Sequence, residues 1–403
     1  MKAIGTLDSH RYLKRLAAIV AAFAVFVSVM PQVVAHTAPE PDAAEDEVIE
    51  HVEVAYEAVR IGGTFEFPWS IAFLPDRSML LTERVGRLQR ILPDGTTREI
   101  TGLPPIFTSG LAGLFDVAVD PDFAKNRLIY FAYAHGSEKR SALRVMSARL
   151  SRDHSRLVAR TVIFESSAAA RDEQYGGRLA ITRDGYLFLT VGDRWEQDSA
   201  QRLDTHLGTV IRIRTDGRVP QDNPFYGRDD AKPEIWSYGH RVSQGLAFDE
   251  ERGDLYAVEH GPMGGDELNR IERGGNYGWP VITHGIGYDG KPIGEGKAKA
   301  GMEQPAHVFA EPPAQAPSGL AVDSAGAKPI LWVGTLAGQA VVRLDPDGEG
   351  WRETRILHEE LGRIRDVRIG PDGLVYVITD AAEGALYRLD PVVEQAGQGR
   401  RTR

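Results

Sequence analysis

Residues 179–193 read LAITRDGYLFLTVGD, two apolar arms on either side of Arg183-Asp184-Gly185. In each arm large apolar residues recur at every second position, which is the period of a strand with one face buried; a helix would repeat at three and four. Two such arms joined by a short Asp-Gly turn form an antiparallel hairpin. The same unit returns along the chain, in SIAFLPDRSMLLTERVGRLQRI (70–91), DVAVDPDFAKNRLIYFAYAH (116–135), LAFDEERGDLYAVEHG (246–261), LAVDSAGAKPILWVGTLAGQAVVRLDPDG (320–348) and DVRIGPDGLVYVITDAAEGALYRLDP (366–391). Six units starting near 71, 117, 179, 246, 320 and 367 make a repeat array, with unequal spacing that leaves room for inserted loops. Sheets closed in a ring leave few exposed edges, so the expected fold is all-β, a six-bladed β-propeller. VEVAYEAVRI, from Val52, is placed to supply the strand that closes the last blade.

The ends of the chain have a different composition. Arg11, Lys14 and Arg15 precede an apolar run from Leu16 to Met30, and Val33-Val34-Ala35 offers a small-residue cleavage site. This is the layout of a secretory signal, with an apolar segment too short to span a bilayer comfortably. The expected organisation is a signal peptide at 1–35, a Pro- and acid-rich leader at 36–51, the propeller at 52–392 and a polar tail at 393–403. Export to the periplasm or medium follows, with no membrane span after cleavage. Without residues 1–35 the chain carries 43 basic against 56 acidic residues, a net charge near −13, which argues against nucleic acid as a partner. No cysteine is present, so disulfides, thiolate metal sites and cysteine nucleophiles are excluded.

Two loops stand out. EIWSYGHRVSQGLAF, from Glu234, places His240, Arg241 and Gln244 just before an inner strand. EHGPMGGDELNRIERGGNYGWP, from Glu259, is dense in Gly and Pro, which lets carbonyls turn inward, and Asp266, Glu267 and Asn276 add the hard oxygen donors that Ca²⁺ prefers.

Together with GGRLAITRDGYLFLTVGD, LFDVAVDPDF and GRIRDVRIGPDGLVYVITD, these loops resemble the soluble pyrroloquinoline quinone (PQQ)-dependent glucose/sorbosone and aldose sugar dehydrogenases, over about Phe67 to Pro391. The resemblance implies a six-bladed propeller, and oxidation of an aldose sugar at its anomeric carbon to the lactone, with hydride passing to a Ca²⁺-bound quinone. Such a reaction needs guanidinium forks for the quinone carboxylates, a cation for developing negative charge and a proton acceptor. Arg241 matches the arginine of the family's RNPQG loop, within which Gln244 also falls, and Arg363 and Arg365 match its paired RxRDV arginines. Glu267 and Tyr277 match metal-site positions, and Gly261 and Pro262 sit where the family turns carbonyls toward the ion.

Departures accompany the matches. The residue before [FY]GGRL is the family's basic histidine, and here it is Gln174, a carboxamide that cannot accept the proton. Leu111 replaces a glutamine, Val242 an asparagine, Ser243 a proline and Ala337 a lysine. The expected base is then Glu173, beside the vacant position, or His240; His260 and His284 read as structural. Two alternatives to a quinoprotein dehydrogenase follow from the same losses. One is a calcium-stabilised propeller that binds a saccharide or protein without redox activity, and the other is a Ca²⁺-assisted lactone hydrolase.

Overall fold

The computed structural model describes residues 54–309 and 314–392, so the expected signal peptide, the leader and the tail lie outside the described residues. Within them, each sequence unit is a four-stranded antiparallel sheet. The inner strands of blades 1 to 6 are Pro68–Phe73, Leu114–Val119, Gly176–Ile181, Ser243–Asp249, Pro317–Asp323 and Ile364–Ile369. Each packs against the next, and the sixth returns to the first, so the sheets close into a six-bladed propeller. Blade 6 takes its outermost strand from the other end of the chain: Ala55–Phe65 pairs antiparallel with Gly384–Val392, Ala55 opposite Val392. The ring is thus sealed by joining the two ends of the described chain in one sheet.

The hairpin at 179–193 forms as its pattern requires. The Thr182 N–H donates to the Tyr186 carbonyl at 3.0 Å and the Gly185 N–H to the Thr182 carbonyl at 3.0 Å, with Gly185 at φ 84°. Leu179, Leu187 and Leu189 then face blade 2, where they pack in one buried cluster with Phe115, Tyr130 and Val145. Each fully buried side chain of this kind contributes about 1.5–3 kcal/mol, and the interfaces between blades are built from such clusters.

One irregularity repeats and positions the site. In all six blades the register of the inner strand shifts near its start, between Pro68 and Ser70, Leu114 and Val117, Gly176 and Leu179, Ser243 and Gly245, Pro317 and Leu320, and Ile364 and Asp366. A bulge turns a side chain out of the alternation. Trp69, Phe115, Gln244 and Arg365 lie at these shifts, and all four line one cavity.

Arg178, at the bulge of blade 3, goes elsewhere. It is fully buried and donates to Asp366 Oδ1 at 2.7 Å, the Gln244 carbonyl at 2.6 Å and the Arg365 carbonyl at 2.7 Å, with its guanidinium 4.0 Å from the Trp69 ring. Asp366 also accepts from the Ile71 N–H and Arg368, and Arg368 reaches Asp116 of blade 2 at 2.8 Å. The arginine of the GGRL motif is thus a pin between blades.

Candidate active site

A cavity of about 260 Å³ opens where the starts of the inner strands converge. Its polar wall comes from Arg84, Glu173, Gln174, Arg241, Gln244, His260, Arg363, Arg365 and Asp380, and Trp69, Leu111, Val242 and Leu336 are among its apolar liners.

One side is cationic. Arg365, only 7% exposed, donates to Asp380 Oδ2 at 2.9 Å and to Gln244 Oε1 at 3.2 Å, while its Nε is buried without a partner. Arg363 reaches the same Asp380 oxygen at 3.2 Å from a half-exposed position. Burial alone would raise the Asp380 pKa, but Arg365 and Arg363 outweigh it and hold the carboxyl below the usual range. Arg84, which the sequence did not single out, enters from the loop after the second strand of blade 1.

Across the cavity, the Glu173 carboxylate accepts the Trp195 indole N–H at 2.6 Å, and Gln174 Oε1 accepts the Trp195 backbone N–H at 3.3 Å. Gln174 and Trp195 both have positive φ, 51° and 64°. Their backbone is braced from outside: buried Arg194 donates to the Glu173 carbonyl at 2.8 Å and sits 3.6 Å from the Tyr175 ring centre. Gly192 permits this packing, because a Cβ there would meet the Gln174 carbonyl at 1.9 Å. Such strain persists where surrounding contacts over-determine the backbone.

Arg241 forms the third wall. Its Nη1 donates to the His260 and Gly261 carbonyls at 3.2 and 3.0 Å, and its Nη2 to the Tyr288 hydroxyl at 3.1 Å. His260 donates its Nε2–H to the Pro317 carbonyl at 2.8 Å, and burial, aided by Arg241, pushes its pKa down to about 3, so the ring is neutral.

His240, expected as a base, is not at the cavity. It is 1% exposed, with Nδ1 on Glu259 and Nε2 on Ser237 Oγ, both at 2.9 Å, and its ring stacks on Tyr277 at 4.5 Å. In the connection between Ile235–Tyr238 and Ser243–Asp249, Arg241 lines the cavity and His240 turns behind it, where Glu259 also accepts the Arg241 backbone N–H and the Ser243 hydroxyl.

The expected metal ligands are only partly free. Asp266 is a staple, accepting the N–H groups of Gly261, Gln315 and Ala316 at 2.9, 2.8 and 2.7 Å. Asn276 is spent on Gln201 and the Gly278 N–H. The Tyr277 hydroxyl donates to the Arg270 carbonyl at 2.5 Å and accepts the Glu272 N–H at 2.8 Å, so the phenol is not a free donor. Glu267 is different: burial, then Glu259 and Asp266, push its pKa up to about 8, and among the described residues its side chain has one hydrogen bond, from Asn269 at 3.3 Å. It lines a small pocket with Gly261 and Tyr277; Pro262 is buried beside it in sequence but does not line it. Among the described residues no three His, Asp or Glu side chains cluster as a ready metal site.

Sequence comparison decides the family. The glucose/sorbosone dehydrogenase profile matches residues 65–388. The chain belongs to the glucose/sorbosone dehydrogenase family. The aldose sugar dehydrogenase YliI of Escherichia coli (strain K12) is 39% identical over 337 residues, covering 81% of this chain and 90% of the relative. The crystal structure of the soluble aldose sugar dehydrogenase from Escherichia coli in its apo form superimposes with a TM-score of 0.80 at 36% identity, over 84% of this chain and all (100%) of that one. A PQQ-bound aldose sugar dehydrogenase from Streptomyces coelicolor, 24% identical, shares the fold with a TM-score of 0.71 over 84% of this chain and 99% of that one. Family membership thus supports sugar dehydrogenase activity in general.

Proposed function

We propose that the protein is an exported, PQQ-dependent dehydrogenase that oxidises an aldose sugar at the anomeric carbon to the lactone. The observation that carries this reading is the composition of the cavity: four guanidiniums, from Arg84, Arg241, Arg363 and Arg365, against the carboxylates of Glu173 and Asp380. Such a wall suits a polycarboxylate cofactor, and the orphaned buried Nε of Arg365 is a donor with nothing to satisfy it inside the protein. Arg363, Arg365 and Gln244 would hold the quinone, which when bound supplies a two-electron acceptor for hydride. Arg241, fixed by two carbonyls and Tyr288, stays near the site of developing negative charge.

Glu173 serves as the base that takes the proton of the anomeric hydroxyl. Of the two cavity carboxylates, Asp380 is engaged by two arginines, whereas Glu173 has one indole N–H and a free second oxygen. Trp195 fixes its direction. Gln174, one residue on, is suited to hydrogen-bond a sugar hydroxyl. Calcium enters this reading through Glu267, a carboxylate in the small pocket beside Gly261 with no cationic partner among the described residues, whose oxygens are the donor type a hard cation takes. The test is equilibrium binding of PQQ to the purified protein with Ca²⁺, followed by dye reduction over a panel of aldoses. Absence of quinone binding would overturn the reading.

A further inference from the structure

The cationic side of the cavity does not balance. Asp380 is the carboxylate shared by Arg363 and Arg365, and it is also the anion nearest in effect to Arg84. Three guanidiniums and one carboxylate therefore line that side of the cavity. Arg84 is the odd member. Its backbone is fixed at both ends, the N–H on the Phe67 carbonyl at 3.0 Å and the carbonyl accepting the Leu114 N–H at 3.1 Å. A Cβ on Gly113 would meet that carbonyl at 2.0 Å, so the loop is pressed against blade 2. The side chain lies over the Phe67 ring at 4.7 Å, lines the cavity, and makes no hydrogen bond among the described residues. An arginine has five N–H donors, and a half-buried one normally spends several of them.

A second observation points the same way. Arg365 keeps its Nε buried and unpartnered although the rest of its guanidinium is used. Unspent donors on two arginines of one cavity wall, with an excess of positive charge there, define a binding site for an anion bearing more than one carboxylate. The family lysine is Ala337 here, and that residue does not line the cavity; its neighbour Leu336 does, and brings no charge.

We infer that Arg84 is a cofactor-binding residue, the arm of a polycarboxylate clamp that stands on blade 1 and supplies the charge missing from blade 5. This rests on the quinone-dependent reading for the identity of the natural ligand, but the clamp itself is defined by carboxylate chemistry. Two probes separate the claims: PQQ, followed by absorbance in equilibrium dialysis, and citrate, followed by thermal shift and by competition. Arg84→Met keeps the stem over Phe67 and breaks no hydrogen bond, so its melting temperature without ligand should match the wild type. Binding of both probes should weaken roughly ten- to a hundredfold, the loss of a charge-assisted contact. Arg84→Lys, which keeps the charge and loses the fork, should fall between, and it carries the test if the methionine variant does not fold. Arg60→Met, on the exposed outer strand of blade 6, should bind as wild type. Citrate binding that depends on Arg84, in a protein that does not bind PQQ, would uphold the clamp and refute the quinone reading. Equal affinities in wild type and Arg84→Met, or a wild type that binds neither anion, would overturn the inference.

Discussion

Replacing Arg178 with methionine should cost the propeller about 5 kcal/mol of stability, and the figure can be worked from its contacts. The guanidinium is fully buried and holds Asp366, the Gln244 carbonyl and the Arg365 carbonyl at 2.6–2.7 Å. Breaking a buried ion pair by removing one partner costs about 3–5 kcal/mol, and Asp366 retains Arg368 and the Ile71 N–H, which puts this case near 3. Two carbonyls lose their charged donor at about 1 kcal/mol each, the low end because the Arg365 carbonyl keeps the Ser318 hydroxyl. Methionine replaces most of the volume, so little is added for a cavity. The assay is urea unfolding of wild type, Arg178→Met, Asp366→Asn and the double variant, compared through midpoints at unchanged m. The double variant should lose less than the sum of the singles, because they share one network. A loss below about 1.5 kcal/mol for Arg178→Met, or strict additivity, would refute the claim that this residue pins the blades, since those losses are the ones the contacts predict. The same variant should weaken anion binding, because Arg178 holds the backbone of two cavity residues, Gln244 and Arg365.

Glu173→Gln should lower kcat by about 10²–10⁴-fold with melting temperature and quinone affinity little changed, and Gln174→His added to it should recover part of the rate; stopped-flow reduction kinetics would show either. Asp193 is fully buried, and burial pushes its pKa up to about 6 against the indole N–H of Trp279 and the Trp195 N–H that oppose it. Its folded pKa lies above the unfolded one, so the native state holds the extra proton and this contribution is lost as pH rises from about 4 to 6, worth about 3 kcal/mol. Asp193→Asn should remove that slope from a series of unfolding curves against pH, and an identical slope in the variant would exclude Asp193 as its source. Calcium should raise the melting temperature by mass action, and Glu267→Gln should abolish the increment while raising the stability of the metal-free protein at alkaline pH, where the buried carboxylate would otherwise ionise. A calcium increment of equal size in Glu267→Gln would move the cation elsewhere.

The propeller was legible because its signals are local. The alternation in 179–193 and its five relatives needs no long-range knowledge, and the inner strands begin within about three residues of the expected starts. The closing strand was legible too, as an apolar alternation left over at the other end of the chain. Side-chain roles at the channel were not. Arg178 stands inside a motif that reads as functional, yet its partners are 66, 187 and 188 residues away, and only ring closure brings them together. Arg84 sits in an unremarkable turn, and its place beside Arg363 and Arg365 exists because blade 1 follows blade 6 around the ring. His240 and Arg241 are adjacent in sequence, and nothing in composition says which of two neighbours turns to the cavity. Asp266 and Asn276 looked like metal donors because their oxygens are the right type, but hydrogen bonds to the loop backbone and to Gln201 had already claimed them.

The most direct measurement is reconstitution of the purified protein with Ca²⁺ and PQQ, with bound cofactor quantified by absorbance and aldose-dependent dye reduction and lactone formation recorded together. The expected result is one quinone per chain, turnover with at least one aldose, and loss of that turnover in Glu173→Gln while the quinone stays bound. Failure to bind the quinone, or full binding with no sugar oxidised across the panel, would contradict it.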